Sequence, residues 1–202
     1  MKTIIQVAVA ITLLIFFSCA SDSSQTNTTT TPETVTKVAP KPAAKPLTAN
    51  GQFFNKFKAS CGKTYEGKLI ESYNPEFFKG KNLNLVLEYC NDKEVSFHFI
   101  QGEDTSQKWK LTKNNDDLSF KLHITGDNGK PAKITNFGGK STGGSATSQT
   151  FPADAATAKL IPPAKNNKWV LSMNEAGNLL TYTIMRGSKK RFSAAFDLSK
   201  PI

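Results

Sequence analysis

The feature that most constrains this chain is a two-residue rhythm running through its last 150 or so positions. Leu83, Leu85, Leu87 and Tyr89 fall on one side of an extended run. Val95, Phe97 and Phe99 alternate with Ser96, His98 and Ile100, and Trp109 and Leu111 alternate with Lys108, Lys110 and Thr112. Leu118, Phe120, Leu122 and Ile124 repeat the pattern, as do Trp169, Leu171 and Met173, then Leu180, Tyr182 and Ile184, then Phe192, Ala194, Phe196 and Leu198. Successive side chains of a strand point to opposite faces, so each run buries one face and wets the other. Asn91-Asp92, Asn115-Asp116, Gly126-Asp127-Asn128-Gly129, Ala176-Gly177-Asn178 and Gly187-Ser188 separate the runs with hairpin-type turn residues.

Roughly eight to ten short antiparallel strands joined by tight turns pair in sequence order. A meander of that size removes its exposed edges by closing on itself. The expected fold is all-β, an up-and-down, lipocalin-like barrel with two or three short helices; the alternative is a two-layer sandwich. The spacing of Phe53, Phe54, Phe57 and Cys61 predicts an opening helix stopped at Gly62. A second helical turn is expected at Asn74–Phe78. A third should run from a cap at Asp154 through Leu160, ended by Pro162-Pro163.

The first fifty residues have a different character. Met1-Lys2-Thr3 precedes an apolar run from Ile4 to Phe17, then Ser18-Cys19-Ala20. A membrane-spanning helix needs about 20 apolar residues, and this run is shorter, so residues 1–18 read as an export signal peptide. Cys19 directly after it resembles a lipoprotein processing site, with the thiol as the lipidation site and membrane anchor; the other reading is ordinary secretion with cleavage near Ala20. Residues 19–50, rich in Ser, Thr, Pro and Lys, hold too little apolar surface to offset ordering entropy and read as a disordered linker. Residues 51–202 form the single β-rich domain. It holds an even pair of cysteines, Cys61 and Cys90, expected in an oxidising compartment to be a disulfide worth on the order of 2–4 kcal/mol.

Taken together, Cys61-Gly62-Lys63-Thr64-Tyr65-Glu66-Gly67, Phe97-His98-Phe99, Glu103-Asp104-Thr105-Ser106 leading to Trp109, Leu122-His123, Phe137-Gly138-Gly139, Phe151-Pro152-Ala153-Asp154, Trp169 and Phe196-Asp197-Leu198-Ser199 resemble an uncharacterised family of exported bacterial lipoproteins. The resemblance covers nearly all of 57–202 and implies an envelope location and a β-fold. It implies no particular chemistry.

Chemistry-bearing motifs are sparse. With 2 His and 3 Cys a Cys- or His-rich metal cage is nearly excluded, and there is no phosphate loop, H-E-x-x-H or G-x-S-x-G. No cofactor, metal or catalytic residue is expected. The candidate ligand or metal site is His98 with Asp104 and His123, should two strands bring them together; the plainer reading is a hydrogen-bonded His98 and a solvated His123. The Gly138-Gly139 and Thr142–Ser145 stretch is expected to be a flexible loop at a barrel mouth. A formal charge of +10 is densest at Arg186, Lys189, Lys190 and Arg191, a hairpin tip that could contact anions.

Nucleic acid is a poor partner, because the address is wrong and Arg186 and Arg191 are the only arginines among 26 cations. The expected partners are the membrane, through the lipid anchor, and a small apolar ligand or an anionic envelope component. The sequence therefore points to a lipid-anchored, non-catalytic binding protein. A surface-interaction protein using its basic hairpin is the alternative, and a His-dependent enzyme or metalloprotein a more distant one.

Overall fold

A computed structural model describes residues 46–202; the expected signal peptide, Cys19 and most of the linker lie outside the described residues. Ten antiparallel strands form one sheet: β1 (Thr64–Ser72), β2 (Leu83–Cys90), β3 (Glu94–Gln101), β4 (Asp104–Asn114), β5 (Asp117–Ile124), β6 (Phe137–Lys140), β7 (Ser148–Pro152), β8 (Asn167–Met173), β9 (Leu179–Arg186) and β10 (Lys189–Pro201). Their order is β6-β5-β4-β3-β2-β1-β10-β9-β8-β7. Sequential strands pair as neighbours except β6 and β7, which end the order, and β10 returns to pair with β1, so the meander curls into a nearly closed barrel.

The two outer strands, β6 and β7, meet at a seam. Thr142 N donates to Thr150 O at 3.3 Å, and Gly144 bridges Gln149. The short helix α2 (Ala155–Leu160) clasps the seam through its cap. The Asp154 carboxylate accepts from Thr157 N at 2.9 Å and from Lys121 Nζ of β5 at 2.6 Å, while its own N–H donates to Gly138 O at 3.0 Å. The buried Thr157 hydroxyl donates to Gly138 O and accepts from Gly138 N, both at 2.8 Å. Phe137–Lys140 is therefore a strand, not the flexible mouth loop expected from its glycines. Two bare backbones are needed here because a Cβ on Gly138 would lie 2.0 Å from Phe120 O and one on Gly139 1.8 Å from Pro152 O.

The other helix, α1 (Ala49–Asn55), closes one end of the barrel. Phe53, Phe54 and Phe57 are fully buried, and Phe57 meets Phe97 edge-on with ring centroids 5.2 Å apart. Thr48 caps the helix at Gly51 N and also bonds Asp116 in the β4–β5 turn, and Lys56 Nζ reaches Glu175 O in the β8–β9 turn. The fold therefore starts a few residues before the expected boundary at 51. The helix is also shorter than its apolar spacing predicts. After a 3-10 turn at Lys58–Ser60, Cys61 is extended and forms the expected disulfide with Cys90 at the end of β2, which ties the plug to the wall.

Almost every inward position is the one the alternation predicts. Tyr89 is the exception, at 52% exposure, because a register shift between Leu87 and Tyr89 turns it outward.

Candidate functional site

Antiparallel order puts the β1–β2, β3–β4, β5–β6 and β9–β10 connections at the end opposite α1. Aromatic residues pack the barrel's middle: Trp109 lies 4.2 Å from Tyr182 and 4.8 Å from Phe99 between ring centroids. Above them is a cavity of about 450 Å³, open to solvent. Its apolar wall includes Phe78, Phe99, Leu122, Phe137, Trp169 and Phe192, with Tyr182 among the lining residues. A 3-10 turn at Pro75–Phe78 brings Phe77 and Phe78 over one side, and Phe78 packs on Phe192 at 5.1 Å.

The rim is polar. Gln101, Gln107 and Asn167 line it, together with Ser72 and Asn74. Each of these amides continues the inward series of its own strand: Gln101 follows Phe97 and Phe99, Gln107 precedes Trp109, and Asn167 precedes Trp169. Three inward-facing series thus turn polar at the same end of the barrel. That was the sequence signal for a mouth, and a search for His, Cys and carboxylate motifs passes over it.

Beneath the cavity two buried polar atoms, Trp109 Nε1 and the Tyr182 hydroxyl, have no hydrogen-bond partner among the described residues. Burial pushes the Tyr182 phenol far above its ordinary value, only partly offset by the approaching Trp169 side chain.

The His98, Asp104 and His123 group is not assembled. His98 pairs with Lys108, and Lys108 pairs with His123, so a lysine strand separates the two imidazoles on the outer face. At about 4.8 Å per strand step their backbones lie about 10 Å apart, with a cationic side chain rather than a metal-ligating one on the strand between them. His98 instead meets Thr105 O through Nε2 at 2.6 Å and Glu88 through Nδ1 at 3.3 Å. Asp104 opens β4, just after the β3–β4 turn, and accepts from Ser106 N at 2.8 Å. Burial alone would raise its carboxyl, but the bonds from Ser106 and Gln107 and the charge of Lys81 hold it below the ordinary value. Among the described residues no group of three His, Cys, Asp or Glu side chains could hold a metal. His123 is half-buried rather than solvated, and burial together with Lys110 and Lys121 lowers its affinity for a proton.

The basic hairpin keeps Arg186, Lys189 and Lys190 exposed, but three of its four cations are engaged by neighbouring side chains. Arg186 Nε donates to Asn167 Oδ1 at 3.0 Å, and Lys190 pairs with Glu71 at 3.3 Å. Arg191 lies over the Tyr73 ring at 4.1 Å and lines the cavity; Lys189 has no ion-pair partner among the described residues.

No protein-family model, no characterised protein and no solved structure matches the chain.

Proposed function

We propose that the chain is a lipid-anchored binding protein of a bacterial cell envelope, and that it holds a small apolar ligand at the open end of its barrel. The apolar leader followed by Cys19 supports export and lipidation, and the Ser/Thr/Pro-rich stretch after it supports a tether. Two or more acyl chains give stable membrane attachment where one does not.

The observation that carries the binding reading is the aromatic-walled cavity of about 450 Å³, within the usual range of about 300–1,000 Å³ for small-molecule sites. An apolar molecule placed there leaves water for apolar contact at about 25 cal/mol per Å² buried. A filled barrel would gain no such term.

The test is titration with N-phenyl-1-naphthylamine, an uncharged fluorophore that brightens in apolar surroundings. Saturable brightening is expected, lost in Ile184→Trp and in Leu122→Trp, which place bulk in the lining. No brightening in the parent chain would refute the reading. Anchoring is tested by feeding cells an alkyne palmitate analogue: the parent should be labelled and Cys19→Ser should not.

A further inference from the structure

Resting on that reading, we infer that the cavity is built for an amphiphile with a single anionic head, carboxylate or phosphate, seated on Arg191 at the rim with its apolar body inside. The charge of the lining points to this. Among the described residues no Asp or Glu borders the cavity, and Arg191 is the only charged residue lining it.

The setting of that arginine suits an anion. Its guanidinium carbon lies over the Tyr73 ring, 4.1 Å from the centroid, and its backbone carbonyl accepts from Tyr73 N at 3.1 Å. A guanidinium held against a ring face by cation–π attraction keeps N–H donors for a further partner, in the fork that matches carboxylate or phosphate. Among the described residues no carboxylate forms an ion pair with Arg191, whereas its neighbour Lys190 is paired with Glu71. Tyr73 is itself 68% exposed, so the Tyr73–Arg191 pair stands at the solvent edge of the cavity.

The amides of Gln101, Gln107 and Asn167 complete a rim able to donate hydrogen bonds to the same head. Asn167 already accepts from Arg186 through Oδ1, which turns its amide N–H₂ into the half left for a ligand. Below the rim the wall is apolar. The cavity equals about fifteen water-sized volumes, which suits a chain of ten to fourteen heavy atoms, at roughly 30 Å³ each.

The experiment is calorimetric titration of the intact chain, carrying Cys19→Ser so that no acyl chain of its own competes. The probes are dodecanoate, dodecyl phosphate, dodecanol and dodecyltrimethylammonium. At least one anionic probe should bind at least tenfold more tightly than dodecanol, and the cation should bind most weakly. The tighter anion identifies the head as carboxylate or phosphate. Arg191→Gln should bring the anions to within threefold of dodecanol while leaving dodecanol unchanged, and Arg191→Lys should recover part of the gap. Binding of both anions no tighter than the alcohol, or a gap that survives Arg191→Gln, overturns the inference and leaves the apolar cavity standing. Failure of all four probes overturns both.

Discussion

Closure of the barrel at the β6–β7 seam is what gives the cavity its far wall, and Gly139→Ala tests it. The added methyl would stand 1.8 Å from Pro152 O and 3.3 Å from Asp154 N, both backbone atoms that cannot swing aside. Restoring an ordinary contact of about 3.4 Å requires the two strands to part by about 1.6 Å. That displacement breaks the Asp154 N–H bond to Gly138 O at 3.0 Å and disrupts the two Thr157 bonds to Gly138 at 2.8 Å. At about 1 kcal/mol net for each, the loss is about 3 kcal/mol, with overpacking strain of similar size if the seam resists.

With a urea slope of about 2 kcal/mol/M, the unfolding midpoint should fall by about 1.5 M. Near-ultraviolet circular dichroism follows it, because Trp109 and Trp169 are both buried. Thr157→Val should cost about 1–3 kcal/mol by leaving the Gly138 backbone unpaired, and the double variant should cost less than the two added together because they disrupt the same clasp. Naphthylamine binding should weaken in Gly139→Ala as well, since Phe137 on the same strand lines the cavity. A Gly139→Ala protein within about 0.5 kcal/mol of the parent would refute a closed seam.

Further outcomes follow from the same geometry. Replacing Cys61 and Cys90 by Ala should cost about 2–4 kcal/mol in urea unfolding, and reduction of the parent should reproduce the loss. The Asp154 carboxyl is raised by burial but carried below its ordinary value by Lys121 and Thr157. Its stabilisation is therefore complete above the unfolded value of about 3.9 and lost as pH falls through the folded one, so Asp154→Asn should flatten the acid limb of the stability profile below pH about 4. His123 is also depressed, by burial first and then by Lys110. Stability should be full above about 6.5 and decline below it as the unfolded chain takes up the extra proton, and His123→Asn should remove that decline. Tyr182→Phe deletes a buried hydroxyl with no partner, so the ligand-free protein should be as stable as the parent or up to about 1 kcal/mol more so.

By itself the sequence determined eight of the ten strands, the pairing of neighbours in a meander, and the disulfide. Those depend on short-range physics: period-two burial, turn residues that allow only neighbouring pairs, and two cysteines left to pair. It also placed the α2 cap at Asp154, because capping is a contact between residues three apart. What it could not supply was where separate strands meet. Phe137–Lys140 looked like a glycine loop because the reason for its glycines is the backbone of β7, which lies far along the chain and presses against it. His98 and His123 looked like possible partners until the register put Lys108 between them. The mouth, too, exists only after closure, when Gln101, Gln107 and Asn167 from three strands reach one rim and Arg191 joins them. A linear pattern says which way a side chain faces; only the curl of the sheet decides what stands opposite it.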